Sequence, residues 1–205
     1  MSSSREFSTD SFLLLHGWEH HKPEGHWLAW LAAELERIGA RVRYPQLPDA
    51  DKPDLTEWVR VIGDELAELD QSAVTVICHS LSAVTWLHAA ANIDAPLARV
   101  VLVAPPSPQV LARIPEICDF AVTGFSQGMI AALATVPTLI AGSDNDPYCP
   151  EGAETCYGAP LGVDFTVLPG AGHVDLDAGY GDWPAMLDWC RHPGSALSVT
   201  HRVAR

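Results

Sequence analysis

Three residue types that together perform nucleophilic catalysis each follow a different short apolar run of this chain. They are Ser80, the pair Asp144 and Asp146, and His173. A serine hydroxyl becomes a nucleophile when an imidazole removes its proton, and a carboxylate orients that imidazole and stabilises its cation. The pattern therefore predicts acyl transfer through a covalent intermediate on Ser80.

Ser80 lies in the segment C-H-S-L-S, between an apolar run and a stretch of good helix formers. A serine at a strand-to-helix turn stands clear of the sheet, and the amide of the next residue, Leu81, points to where an oxyanion forms. The usual motif is G-x-S-x-G, and this chain has Cys78 and Ser82 at the two glycine positions. A serine that caps a buried helix is the alternative, and the motif alone does not separate the two.

His173 is the candidate base because it lies on the glycine-rich loop 169–173, directly after an apolar run. Loops at this edge of a sheet carry function, and histidine is the usual proton acceptor. His79 adjoins Ser80 and is expected to point the other way. Two further histidines fit less well, one on the next helix and one in the tail: His88 and His192.

The segment His16-Gly17-Trp18 follows the first apolar run, where a second oxyanion donor is expected. The Trp18 amide is the candidate donor. Gly17 lets the backbone approach the substrate, and His16 and the Trp18 ring are candidate pocket residues. A turn glycine beside a packed aromatic ring is the alternative.

Three histidines crowd the same loop, His20, His21 and His26, with Glu19 and Glu24 nearby. No H-E-x-x-H or comparable ligand spacing is present, and clustered loop histidines are usually solvated. The sequence predicts neither a metal nor another cofactor.

Short apolar runs bounded by Gly, Pro or Asp predict six strands: 11–15, 41–44, 73–78, 99–104, 136–141 and 163–168. Apolar residues at helical spacing fall between them, and Asp54 with Glu57 forms a capping box before one helix. Strands that alternate with helices predict an α/β fold, a mostly parallel sheet with helices on both faces. Ligands bind at the carboxyl ends of such strands, where the candidate residues lie.

From residue 12 to about residue 191, the chain resembles the small α/β-hydrolases of the retinoblastoma-binding-protein-nine and YdeN type. The matching segments are Gly25-His26-Trp27, the I-x-H-S run of residues 77–80, the stretch 142–148 that contains Asp146-Pro147-Tyr148, and Gly172-His173. The resemblance implies an α/β-hydrolase fold with a minimal cap. It also implies a serine hydrolase, with esterase or peptidase-like activity, whose triad is Ser80, Asp146 and His173. On this resemblance Asp146 is favoured over Asp144.

The segment 105–135 occupies the place where larger hydrolases insert a cap, and it is short here. Phe125 and Met129, with Phe120 and Ile130, are candidates for lining an acyl pocket, although packing on the sheet suits such residues equally well. An apolar, open site indicates short acyl or aryl esters.

Two further functions remain open. Because the two glycines of the G-x-S-x-G motif are missing, one alternative is a binding protein that keeps the fold and has lost turnover. An acyltransferase or thioesterase acting on a carrier-bound acyl chain would use the same residues, because the fold alone does not define the acceptor.

A length of 205 residues suits one domain at 11–191, with a flexible N-terminal tail at 1–10 and a C-terminal tail at 192–205. A formal net charge of -14 excludes nucleic acid as a partner and disfavours an anionic membrane surface. No apolar run is long enough for membrane insertion, and the N-terminal segment lacks an apolar signal core. The five scattered cysteines contain no C-x-x-C pair. We therefore expect a cytoplasmic protein that acts on a small ester-type molecule.

Overall fold

Short strands alternate with helices along the chain, as the apolar pattern predicts. The computed structural model describes residues 10–69, 73–192 and 194–199. The strands are β1 Ser11–Leu15, β2 Arg41–Arg43, β3 Val74–His79, β4 Leu97–Val103, β5 Thr138–Ser143 and β6 Asp164–Leu168. They form one sheet in the order β2-β1-β3-β4-β5-β6, in which every neighbouring pair is parallel. The predicted six-stranded α/β fold is confirmed.

Seven α-helices connect or follow these strands in the described residues, with shorter helical turns at Ala90–Asn92, Cys118–Phe120 and Glu154–Gly158. The α-helices are α1 Trp27–Arg37, α2 Leu55–Glu68, α3 Leu81–Ala89, α4 Pro108–Leu111, α5 Gln127–Thr135, α6 Ala159–Leu161 and α7 Pro184–Arg191. The predicted cap of α2 is present, since Oδ1 of Asp54 accepts a hydrogen bond of 2.9 Å from the Glu57 amide. Within the described part of the chain, no helix has the length and apolarity that a membrane crossing requires.

The sheet separates two hydrophobic cores, because successive side chains of a strand point to opposite faces. Leu13 and Leu15 of β1 pack on the face that α2, α3 and α5 cover. Phe12 and Leu14 pack on the other face, against α1 and α7. All five residues of β1 are buried, as expected for a parallel strand covered on both sides.

Residues 1–9 of the predicted N-terminal tail and residues 200–205 of the predicted C-terminal tail lie outside the described residues. The division at 11–191 therefore stays a prediction. Part of the C-terminal segment packs against the domain: Leu197 is buried, and the Ser198 carbonyl accepts a hydrogen bond of 2.8 Å from Nε1 of Trp183.

Candidate active site

Ser80 forms the turn between β3 and α3 at the carboxyl edge of the sheet. Its φ is 57° and its ψ is -124°, a left-handed backbone that residues with a side chain rarely adopt. Its amide donates to the Val103 carbonyl of β4 at 2.9 Å, which ties the turn to the sheet. The strained turn therefore projects the Ser80 side chain beyond the strand ends.

The Ser80 hydroxyl does not cap α3. No hydrogen bond joins it to the first amides of that helix. Its Oγ instead lies 2.8 Å from Nε2 of His173. The alternative of a helix-capping serine is therefore wrong.

Ser82 stands at the second glycine position of the G-x-S-x-G motif, and its side chain fits inside the tight turn between β3 and α3. Its side chain is fully buried, and its Oγ accepts from the His79 amide at 3.0 Å. The same hydroxyl lies 2.9 Å from the carbonyl oxygens of Leu15 and His79, which share its one proton. Cys78, at the other glycine position, is buried in the core, and burial raises the pKa of its thiol well above the usual value.

Gly17 lies directly against Ser80. A Cβ at this position would come 2.7 Å from Cβ of Ser80 and 3.0 Å from its Oγ, closer than carbon atoms approach. Only a residue without a side chain allows the loop after β1 to pass this close. The loop therefore brings the backbone of Gly17 and Trp18 to the reacting hydroxyl.

His173 connects Ser80 to a carboxylate. Its Nδ1 lies 3.0 and 2.9 Å from the two oxygens of Asp146, and both side chains are buried. A carboxylate only accepts, so Nδ1 carries the proton and Nε2 is free to accept from the Ser80 hydroxyl. The Tyr148 amide donates to Oδ1 of Asp146 at 2.8 Å and fixes the carboxylate.

Asp144 has a different position. Its Oδ1 accepts a hydrogen bond of 2.7 Å from the Gly170 amide. The neighbouring side chains act in the same way, since Ser143 accepts from the Ala171 amide and Asn145 from the Gly172 amide, at 3.0 and 2.7 Å. The loop after β5 thus holds the glycine-rich loop that carries His173, and Asp144 belongs to this support.

A cavity of about 300 Å³ opens at Ser80 and His173 and has two unlike walls. The apolar wall is formed by the start of α3, by α4 and by the residues on either side of α4: Leu81, Pro106, Val110, Leu111, Ile114 and Ile117. The polar wall comes from the loop after β1, the loop after β5 and the residues that follow His173: Glu19, His20, His26, Tyr148, Asp175 and Asp177. Of the described residues that line the cavity, none is Lys or Arg.

The residues matched by the serine hydrolase family model are 12–191, nearly the whole described chain. The chain belongs to the serine hydrolase family.

This serine hydrolase resembles several solved structures at the level of the fold. It superposes on the ydeN gene product of B. subtilis with a TM-score of 0.71 and 18% identity, covering 88% of this chain and 96% of that one. For a YdeN-like hydrolase of Pectobacterium atrosepticum the TM-score is 0.67, with 24% identity and 90% and 91% coverage. An esterase domain from a Rhodothermus marinus protein gives 0.59, with 16% identity and 81% and 79% coverage. No curated protein matches the chain by sequence.

The structure brings most of the predicted site residues of this serine hydrolase together. Ser80, His173 and Asp146 are in direct contact, and Gly17, Trp18 and Leu81 line the cavity beside them. Nε1 of Trp18 donates to the Asp51 carbonyl at 3.0 Å, which anchors a ring that packs partly buried against the hydrophobic core.

Three predicted pocket residues do not line this cavity. His16 is fully buried behind the loop, where its Nδ1 donates to the Gly17 carbonyl and its Nε2 accepts from the Leu47 amide, both at 2.8 Å. Met129 packs in the core because α5 folds onto the sheet face rather than over the cavity. Phe125 borders a separate surface depression near Cys156. The apolar wall comes instead from α4 and the turns after it, a segment whose Val110, Leu111, Ile114 and Ile117 already show helical spacing.

The histidines of the β1 loop are largely buried, contrary to expectation. His20 and His26 turn inward, and only His21 is exposed, with its Nε2 2.7 Å from Asp51. Five histidine rings form a row that ends at His173: His16, His20, His26, His79 and His173. The distances between successive ring centroids are 5.0, 4.6, 5.5 and 5.3 Å. Among the described residues, no three His, Cys, Asp or Glu side chains are grouped as metal ligands.

Four of these rings, those of His16, His20, His26 and His79, have lowered pKa values. Burial lowers the pKa of His16 to about 4, of His20 to about 3 and of His26 to about 4. Burial also lowers the pKa of His79 far below that of a free imidazole. Neighbouring histidines of the row lower the pKa values of His20, His26 and His79 further, and Lys22 and His21 do the same for His16, because like charges repel.

Proposed function

We propose that this serine hydrolase cleaves esters, thioesters or activated amides through an acyl-enzyme on Ser80, with His173 as base and Asp146 as the acid that orients it. The observation that carries the proposal is the contact of 2.8 Å between Oγ of Ser80 and Nε2 of His173, made by a serine that does not cap its helix. The name of one structural neighbour, an esterase domain, supports the ester as the bond cleaved.

The geometry supports the following reaction. Nε2 of His173 takes the hydroxyl proton while Oγ of Ser80 attacks the carbonyl carbon, and Asp146 stabilises the resulting imidazolium. The tetrahedral intermediate collapses, and His173 returns the proton to the departing oxygen, nitrogen or sulfur atom. Water, deprotonated by His173, then attacks the acyl-enzyme and releases the acid and free Ser80.

The oxyanion of the intermediate is assigned to the backbone amides of Leu81 and Trp18. Leu81 begins α3, where the helix dipole favours negative charge. Trp18 follows Gly17, whose contact with Ser80 brings the loop within reach of the reacting carbonyl. Both residues line the cavity at the nucleophile.

The two walls of the cavity indicate which part of the substrate binds where. His173 must protonate the leaving group, so the leaving group lies on the polar wall beside Tyr148 and Asp175. The acyl group then lies on the apolar wall that α4 contributes. We expect a short or medium apolar acyl group.

The acidic residues of the polar wall disfavour an anionic leaving group. Glu19, Asp175 and Asp177 line it, and no described lining residue is a cation that would neutralise them. A polyanionic carrier such as coenzyme A would meet repulsion there, so we propose an uncharged or cationic leaving group. This observation argues against carrier-bound thioesters as the substrate.

Labelling with a fluorophosphonate tests the nucleophile. We expect wild-type protein to be labelled and to hydrolyse p-nitrophenyl esters, and Ser80→Ala to do neither. The matched control is Ser126→Ala, because the Ser126 hydroxyl caps α5 instead of bonding to a histidine. Equal labelling of wild type and Ser80→Ala would refute the proposal and would favour a binding protein.

Two esters that differ only in charge test the leaving-group preference. The cationic ester butyrylcholine and its uncharged isostere 3,3-dimethylbutyl butyrate have nearly the same shape. We expect butyrylcholine to have a KM about 3-fold to 10-fold lower at low salt. Asp175→Asn should reduce this difference. Equal KM values for the two esters, or faster hydrolysis of butyryl-coenzyme A than of either ester, would contradict the proposed leaving-group preference.

We also place this activity in the cytoplasm. All five cysteines are free thiols, as expected for a protein kept in a reducing compartment. Fractionation of the native host, with the activity recovered in the cytoplasmic fraction, would check this.

A further inference from the structure

The loop that carries His173 has an unusual backbone on both sides of the base. Gly172 has a φ of 56° and Val174 a φ of 54°. The second value is costly, because a β-branched side chain rarely adopts a left-handed backbone. Contacts from outside the loop must hold this conformation.

Two buried side chains from other elements supply those contacts. Nε2 of His79 donates to the His173 carbonyl at 2.9 Å, and Nε1 of Trp27 donates to the Val174 carbonyl at 2.8 Å. The two donors also pack against each other, with ring centroids 5.6 Å apart in an edge-to-face arrangement. Two successive carbonyls of the strained loop are thus held by one pair of rings.

His79 is the last residue of β3 and directly precedes Ser80. A hydrogen bond from His79 to the base loop therefore joins the nucleophile turn to the base, two segments 94 residues apart along the chain. The Ser80 side chain points into the cavity while the His79 ring lies beneath the base. One strand end sets the position of both reacting groups.

Packing alone does not explain an imidazole at this position. Nδ1 of His79 is buried without a hydrogen-bond partner in the described residues, and a buried polar atom without a partner is destabilising. An apolar side chain would avoid that cost. What the imidazole supplies and an apolar side chain does not is the hydrogen bond from its Nε2 to the His173 carbonyl.

We infer that His79 and Trp27 are positioning residues, which hold the backbone of His173 and Val174 so that Nε2 of His173 meets the Ser80 hydroxyl. The inference rests on the proposed function. It predicts that loss of either donor slows the chemical step and leaves substrate binding nearly unchanged, because misplacement of a reacting group affects kcat.

The first test compares three variants of matched chemistry. His79→Leu removes the donor, and His79→Gln keeps an N–H at a similar distance from the backbone. His88→Leu is the control, since Nε2 of His88 also bonds a backbone carbonyl, that of Phe120 at 3.0 Å, on the far part of α3. The readouts are kcat, KM, the rate of fluorophosphonate labelling and the unfolding temperature.

We expect His79→Leu to lower kcat and the labelling rate about 10-fold to 100-fold with KM within about 2-fold of wild type. His79→Gln should recover both rates to within about 3-fold, and His88→Leu should match wild type. Equal rates for His79→Leu and His88→Leu, or no recovery in His79→Gln, would overturn the inference.

A second pair gives the same comparison if His79→Leu fails to fold. Trp27→Phe loses the donor to Val174 but keeps an aromatic ring. Trp58→Phe loses an equivalent bond of 2.8 Å from a fully buried Trp58 to the Pro48 carbonyl. Only Trp27→Phe should lower kcat, and equal effects would overturn the inference. A wild-type protein without labelling or turnover would instead refute the proposed function, and the inference with it.

Discussion

At the scale of single residues, the space around Ser80 is limited on one side by the loop after β1. Gly17 leaves room for the nucleophile only because it has no side chain. The approach of this loop also brings the Trp18 amide toward the reacting carbonyl. We therefore expect that adding one methyl group at position 17 changes the rate of the chemical step.

Gly17→Ala should lower kcat about 100-fold, because the new Cβ displaces Ser80 or the loop by a large part of an ångström. The control is Gly63→Ala in α2, where a Cβ would meet nothing within 4 Å. That variant should keep its activity and gain about 0.5 to 1 kcal/mol in the free energy of unfolding. Steady-state kinetics and urea unfolding check both, and full activity in Gly17→Ala would contradict the close contact.

The two carboxylates of the loop after β5 should differ sharply in their effect on turnover. Asp146→Asn places an amide beside Nδ1 of His173 and favours the wrong tautomer, so we expect kcat to fall about 10⁴-fold. Asp144→Asn changes only the acceptor for the Gly170 amide and should keep kcat within about 10-fold of wild type. A larger loss in Asp144→Asn than in Asp146→Asn would reverse the assignment.

The proximity of Ser80, Asp146 and His173 could be predicted from the sequence because each follows a strand, and parallel strands bring their carboxyl ends to one edge. His79 was excluded because neighbouring residues of a strand point in opposite directions, and its ring does lie apart from the Ser80 hydroxyl. Its contact with the His173 carbonyl depends on how a distant loop folds beneath the sheet edge. Local periodicity carries no information about such a contact.

At the scale of elements, Ser82 connects α3 to the end of β1 and to the end of β3. The first turn of the helix, the Leu15 carbonyl and the His79 backbone meet at one hydroxyl. A glycine at this position would permit the same close approach but supply no hydrogen bond. Where the usual motif has a glycine that only leaves room for the backbone, this chain has a serine whose hydroxyl also bonds to that backbone.

Ser82→Ala should lower the free energy of unfolding by about 1 to 3 kcal/mol, since the His79 amide loses its acceptor in a buried site. Ser82→Gly, which restores the usual motif, should cost as much or more, because glycine also weakens the helix. Urea unfolding of both variants, beside Ser126→Ala at an exposed cap, checks this. A stabilised Ser82→Gly would refute the role of the hydroxyl.

The strands were predicted to within a few residues because buried parallel strands are continuous apolar runs bounded by turn residues. The segment between β4 and β5 was harder to predict. Met129 and Phe125 are apolar residues that suit a cavity wall and a core equally, and only the direction in which α5 folds decides between them. That direction depends on packing against Ala90–Asn92, a tertiary contact.

At the scale of the whole molecule, the buried histidines link stability to pH. The pKa values of His16, His20 and His26 lie at about 4, 3 and 4 in the folded protein, below the value of about 6.5 for a free imidazole. Between these values the unfolded chain binds more protons than the folded one. The free energy of unfolding must therefore fall as the pH falls from about 6.5 to about 4.

His26→Asn should flatten this dependence. Burial is the main cause of the low pKa of His26. In wild type, Nδ1 of His26 accepts a hydrogen bond of 3.2 Å from the Leu28 amide, and the side-chain oxygen of asparagine can accept the same bond. We expect the variant to lose less stability than wild type between about pH 7 and about pH 5, measured by urea unfolding. His21→Asn, at an exposed position, should keep the wild-type slope, and a wild-type stability that does not change over this range would contradict the prediction.

The row of histidines also offers a way to observe the site without a substrate. Backbone groups and one carboxylate determine which nitrogen carries the proton in all five rings: Nδ1 in His16 and His173, and Nε2 in His20, His26 and His79. The two tautomers of imidazole have distinct nitrogen resonances, so a long-range proton–nitrogen NMR spectrum should show, among these five rings, two of the first kind and three of the second. An inhibitor on Ser80 that shifts His173 and His79 together would reveal the coupling of these rings in solution.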